Sequence, residues 1–157
     1  MKTEAEMLNV MARYCSQGEK CTFDVLKKVK NTGLPEDAAQ RIIDRLVEEG
    51  FIDEKRFARS FVNDKFRFNQ WGKIKIGYEL KIRKISSENI EEALANINEN
   101  EYADVLTNLL KSKIRTVKSA VPQALVATLL RYATSRGFET DITLKTIKRL
   151  IKNVDYE

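Results

Sequence analysis

Histidine is absent from this 157-residue chain, and cysteine, proline and glycine are scarce, at two, two and six residues. Without histidine no Ser-His or Cys-His pair can form, and the commonest general base near neutral pH is missing. Carboxylate or lysine chemistry is left, but no spacing in the chain points to it. We therefore read no catalytic residues, no cofactor site and no metal site. Cys15 and Cys21 stand in a C-x5-C spacing that fits neither a zinc site nor a thioredoxin motif. They read as free, partly buried thiols in a reducing compartment. So little proline and glycine leaves few turns and favours helices over a many-stranded sheet. No apolar run approaches the ~20 residues of a membrane span. The amino terminus, Met1-Lys2-Thr3-Glu4-Ala5-Glu6, lacks the apolar stretch of a signal peptide. The expected setting is the cytoplasm, with no membrane partner.

Hydrophobic residues make up 43% of the chain and charged residues 32%, as in a folded and heavily charged protein. They are arranged in an internal repeat. Val25, Val29, Leu34, Ala39 and Ile43 recur as Ile76, Leu80, Ile85, Ile90 and Leu94. They recur again as Leu129, Ala133, Phe138, Thr143 and Ile147, where Thr143 alone breaks the apolar register. Gly33 and Gly137 occupy equivalent positions, each where a helix should stop. Each copy reads as three helices: 4–17, 22–32 and 35–49; then 53–69, 73–84 and 87–97; then 100–118, 122–136 and 141–153. Pro35 and Pro122 open helices, and Ser86-Ser87 and Asp53 supply caps. No segment alternates with period two, so no sheet is expected. The expectation is an all-α molecule of three tandem three-helix repeats, 1–50, 51–97 and 98–157. Such units bury little alone and should lean on one another in an elongated, curved array.

The middle copy is chemically distinct. From Lys55 to Lys84 there are ten Lys or Arg against two acids, Asp64 and Glu79, while the whole chain carries only +5. At ~100° per residue, Phe57, Phe61 and Phe68 share one side of the first helix of this copy. Lys55, Arg56, Arg59, Asn63 and Arg67 share the other, and Phe66 projects toward the basic side, as either a seam filler or an exposed anchor. The next helix has two apolar rows. Ile76 and Leu80 follow the repeat and are core. Ile74, Tyr78 and Ile82 correspond to Phe23, Lys27 and Asn31 in the first copy and to Ala127, Arg131 and Ser135 in the third. That row is apolar throughout only in the middle, so it either covers a neighbouring unit or forms a recognition surface with Lys75, Lys81 and Arg83. A second basic knot, Lys111, Lys113, Arg115 and Lys118, contains no acid. Basic helices with interleaved aromatics suit either phosphates or an acidic protein groove. The first copy nets −1, from 8 basic and 9 acidic residues, and is expected to add no basic surface.

The run FIDEKRFARSFV, followed by Gly72, Ile76, Glu79 and Leu80 and then Ile85, Ile90, Ala93 and Leu94, resembles the central module of the RecX family. These are bacterial regulators of the recombinase RecA. The resemblance implies tandem three-helix repeats and a non-enzymatic function. Family members lie in the groove of the RecA filament on single-stranded DNA and limit its growth, ATP hydrolysis, strand exchange and coprotease activity. Some also bind DNA, single- or double-stranded. The expected partners are thus the RecA filament and DNA, with the chain itself monomeric. The alternative is a helical DNA-binding module without a recombinase partner. The residue pattern places Asp53, Arg56, Phe57, Ala58, Phe61, Gly72, Ile76, Glu79 and Leu80 on the family match, most of them structural, with Arg56 and Glu79 a candidate ion pair.

Overall fold

A computed structural model describes residues 2–117 and 121–155, the last three without their side chains. Among these residues it contains helices and no strands. In chain order they are α1 (Glu4–Ser16), α2 (Thr22–Lys30), α3 (Glu36–Glu48), α4 (Glu54–Arg67), α5 (Lys73–Ile82), α6 (Ser87–Ala95), α7 (Glu99–Thr116), α8 (Pro122–Ser135) and α9 (Thr140–Asp155). No helix among the described residues is long and apolar enough to cross a membrane.

Helix starts follow local chemistry. Thr3 and Glu6 form a reciprocal capping box at α1. Asp53 Oδ1 accepts from the Arg56 amide at 3.0 Å, and Ser86 Oγ from the Asn89 amide at 3.2 Å. Asn98 does the same for Glu101 at α7. Pro35 sits one position earlier than expected, as the residue preceding α3, where its missing N–H costs nothing.

The chain divides into two compact units, one of residues up to Phe61 with Glu79–Ala93, the other of Val62–Tyr78 with Leu94 onward. The first has a core of Met7, Met11, Cys15, Val25, Val29, Ala39, Ile42, Ile43, Leu46 and Ile52. Both thiols are buried and unbridged. Burial holds Cys15 above the usual thiol range and pushes Cys21 up to about 12, so neither forms a reactive thiolate near neutral pH. In the second unit Tyr102, Leu106, Leu110, Leu129, Ala133, Phe138 and Ile147 are buried. The Tyr102 ring lies 5.8 Å from that of Phe66 and 5.1 Å from that of Phe138.

Thr143 is buried like its apolar counterparts, and its hydroxyl donates to the Glu139 carbonyl at 2.7 Å. The repeat register therefore holds in space at the one position where the residue type departs from it. Satisfying the hydroxyl inside its own helix removes most of the cost of burying it.

Two corrections fall on α4. Phe68 is 80% exposed, because α4 has ended at Arg67 and helical phase no longer applies. Phe66 is buried on Tyr102, which excludes the exposed-anchor reading. The N-terminal half of α4 buries Phe57 and Ala58 within the first unit, and the C-terminal half buries Val62 and Phe66 within the second. One fixed stripe along the whole helix cannot describe both halves.

Candidate partner and nucleic-acid interface

The basic side of α4 is held by carboxylates. Arg59 Nε donates to Glu92 of α6 at 2.7 Å, and Lys55 Nζ lies 3.1 Å from the same carboxylate. The two cations hold the Glu92 carboxyl below its ordinary range, Arg59 most strongly. Arg56 pairs with Glu19 at 2.8 Å and donates to the Gly50 carbonyl at 2.9 Å. Its partners are thus Glu19 and, more distantly, Asp53 at 3.9 Å, in place of the expected Glu79. Arg67 donates to Asn63 at 2.8 Å and lies 3.4 Å from Glu101. Lys55, Arg56, Arg59 and Arg67 are therefore ties between segments of the fold, and little unbalanced charge is left along α4.

On α5 the two apolar rows separate cleanly. Ile76 and Leu80 are fully buried, whereas Ile74, Tyr78 and Ile82 are 58%, 64% and 44% exposed. Tyr78 and Ile82 thus stand in solvent. Lys81 is exposed on the same side of the helix and has no ion-pair partner among the described residues. Lys75 is half-buried at the edge of the row, its Nζ 4.4 Å from the centre of the Trp71 ring. Arg83 turns away from this face. Its guanidinium reaches Asp24 at 3.3 Å, donates to the Glu79 carbonyl at 3.0 Å and lies over the Phe61 ring at 5.1 Å.

The start of α5 is fixed by backbone from the turn between α8 and α9. The Gly72 amide donates to the Arg136 carbonyl at 2.7 Å and the Ile74 amide to the Gly137 carbonyl at 2.9 Å. The Lys73 amide donates to the Tyr102 hydroxyl at 2.9 Å, and that hydroxyl donates in turn to Glu139. Burial and Glu139 together push the phenol well above its ordinary range, so it remains a donor. Three first-turn donors, which α5 cannot satisfy itself, are thereby paired. The approach is so close that a Cβ on Gly72 would fall within 3.0 Å of Gly137 and Phe138 backbone. A Cβ on Gly137, where φ is +94°, would strike Lys75.

In the second basic knot, Lys113 lies over the Tyr132 ring at 4.9 Å and Arg115 donates to Ser112 at 3.2 Å. Among the described residues Lys111, Lys113 and Arg115 meet no carboxylate, and Lys118 lies outside those residues.

A cleft of about 460 Å³ in the first unit escaped the sequence reading. Phe23 and Leu26 line it with Lys27, Lys30, Glu54, Arg83 and Lys84. Its one signal was the row Phe23, Lys27 and Asn31, the counterpart of the exposed row on α5. Glu54 presents a buried oxygen, Oε2, with no hydrogen-bond partner among the described residues. Burial pushes this carboxyl above its ordinary range, against the pull of hydrogen bonds from Thr22.

Comparison with known proteins converges on one family. The family model for the second three-helix domain of RecX matches residues 53–94. The regulatory protein RecX of Clostridium beijerinckii is 27% identical over 159 residues, which is 96% of this chain and 74% of that protein. The RecX of Clostridium botulinum strain Alaska E43 is 32% identical over 141 residues, covering 88% of this chain and 65% of its relative. Two crystal structures share the fold. That of a regulatory protein RecX gives a TM-score of 0.80 at 21% identity, over 93% of this chain and 71% of the other. That of RecX from Lactobacillus salivarius gives 0.78 at 20% identity, over 94% and 96%. This all-α chain of repeated three-helix groups is thus similar to the RecX regulatory proteins across nearly its whole length, and its residues 53–94 match that family's second three-helix domain.

Proposed function

We propose that the chain is a non-catalytic regulator of a RecA-type recombinase, docking on the recombinase filament on single-stranded DNA through the outward face of α5. Docking there limits filament growth and, with it, ATP hydrolysis, strand exchange and coprotease activity. The carrying observation is the exposed row Ile74, Tyr78 and Ile82 beside Lys81. The core of the repeat is already completed by Ile76 and Leu80, so the fold has no use for this row. A tyrosine between two isoleucines, with an unpaired cation alongside, has the composition of an interface anchor. It lies in the three-helix group that matches the RecX family model. Lys111, Lys113 and Arg115 supply a second cationic surface suited to phosphates.

The test is recombinase ATPase on single-stranded DNA, with this protein titrated in from substoichiometric amounts. Progressive inhibition, weakened by Tyr78→Ala with Lys81→Ala, supports the reading. No inhibition, together with salt-dependent binding to naked DNA, sinks it and favours a DNA-binding module that needs no recombinase.

A further inference from the structure

The exposed row on α5 is not the only feature that sets the central repeat apart. The residue before α5 is Gly72, which has no side chain to cap the helix. The first turn therefore borrows its acceptors from the turn after α8, whose Arg136 and Gly137 carbonyls take the Gly72 and Ile74 amides. In the first repeat the counterpart helix, α2, takes no backbone bond from another turn among the described residues. The Arg136 side chain holds the same loop, its guanidinium donating to the Asn69 carbonyl at 2.9 Å. That guanidinium is itself seated 5.6 Å from the centre of the Tyr132 ring. Inside the held segment Gln70 has a φ of +56°, a left-handed conformation that residues with side chains adopt where the surroundings enforce it. The Tyr102 hydroxyl completes the set, accepting from the Lys73 amide and donating to Glu139. All of these residues lie in the second compact unit.

Ile74 and Lys75 belong to that borrowed first turn, and they form the leading end of the face assigned to docking. We propose that Tyr102 and Arg136 are positioning residues for recombinase binding, holding Ile74 and Lys75 in the geometry that the partner meets. The inference rests on the α5 reading above and adds which residues outside the face set its strength. Tyr102 is 1% exposed, so it acts on a partner only through α5. The physical reason is preorganisation. A frayed turn must be ordered at the moment of binding, and that ordering cost is subtracted from affinity. The third helical group thereby governs the second one's affinity by fixing its recognition helix. Internal comparison favours this over a purely structural contact, because the first repeat has neither an all-apolar row nor a borrowed start.

The experiment takes two readings on each variant of the intact chain. One is amide hydrogen exchange from Asn69 to Ile76 in the chain alone, and the other is the apparent Kd for RecA-type filaments on single-stranded DNA. Tyr102→Phe keeps the buried ring and removes only the hydroxyl. It should speed exchange of the Lys73 amide by about 5-fold, the factor set by one hydrogen bond, and weaken filament binding by a similar factor. Arg136→Ala should act in the same way at Gly72. Glu139→Gln keeps an acceptor for the phenol and should leave both readings near those of the parent. A double-mutant cycle separates positioning from general loosening. Tyr102→Phe should lose most of its effect on binding beside Ile74→Ala, and keep it beside Ile82→Ala at the far end of the row. Three results overturn the proposal: unchanged Lys73 exchange in Tyr102→Phe, faster exchange with undiminished binding, or equal effects beside Ile74→Ala and Ile82→Ala. Failure of the underlying reading looks different, because it shows while Tyr102 is intact. In that case the parent does not bind the filament, or Tyr78→Ala binds as tightly, and the docking face falls together with the positioning role.

Discussion

Two neighbouring phenylalanines show how far a single residue's role depends on where its helix ends. Phe66 is buried against Tyr102, so Phe66→Ala should cost about 3–5 kcal/mol through the cavity left behind. Phe68 is exposed just past the end of α4, and Phe68→Ala should change stability by less than ~0.5 kcal/mol. Urea unfolding of the two variants checks the contrast, and equal losses would refute it. Glu54 offers a test in pH. Its folded-state carboxyl is raised by burial, with Asp24 and Asp53 adding to the push and Thr22 opposing it. Lys27, Lys30, Arg83 and Lys84 face the same cleft and favour the charged form. A raised carboxyl contributes stability that is complete below its unfolded value and is lost as pH rises through the folded one. Glu54→Gln should therefore raise the thermal midpoint relative to the parent at about pH 7, and the gain should shrink toward about pH 4. An unchanged difference across that range would exclude the carboxyl as its source.

At the scale of the element, α5 joins an exposed row to a start fixed by other backbone. Gly137→Ala should destabilise by at least ~1 kcal/mol, since a left-handed φ and a collision with Lys75 act together. Tyr78→Ala should leave the thermal midpoint almost unchanged while weakening recombinase inhibition. If Tyr78→Ala instead unfolds the protein, the row belongs to the core. Much of this helix was legible in the sequence. Comparing the three repeats marked Ile76 and Leu80 as core and set Ile74, Tyr78 and Ile82 apart, because core positions recur and the others do not. Helix starts were legible because capping is local. The fate of the charged side of α4 was not, because its partners are distant: Arg59 meets Glu92 33 residues away, and Arg56 meets Glu19 37 away. Arg83 and Asp24 are 59 apart. A helical wheel shows which side is charged, but not whether another helix has already balanced that charge. Phe66 stays open between a buried and an exposed role in the sequence for a related reason, since the wheel assumes one buried stripe and α4 has a different one in each half.

Across the whole molecule, net charge is a poor guide to binding surface. Lys55, Arg56, Arg59 and Arg67 of the densest basic stretch, α4, meet carboxylates. Among the described residues, cations without an ion-pair partner collect instead at Lys81, at Lys111 with Lys113 and Arg115, and at the cleft of a nominally acidic repeat. Salt dependence should follow this distribution. Replacing Lys111, Lys113 and Arg115 together by Ala should lower the salt slope of DNA binding, by up to about 0.7 for each phosphate left unneutralised on a single strand. Replacing Lys55 and Arg59 should lower stability and leave that slope nearly untouched. The two outcomes are separated by binding isotherms at several salt concentrations alongside thermal unfolding.

The two buried thiols make the first unit its own gauge of opening. Cys15 and Cys21 are the chain's only cysteines, both are shielded, and both resist ionisation. An alkylating reagent should therefore reach them only when the surrounding helices part, so the labelling rate counts openings of that core. A fluorophore placed on a new cysteine at the exposed end of the chain's α5 row, as in Ile74→Cys, would attach there first. The natural pair would stay dark until the fold around it gives way.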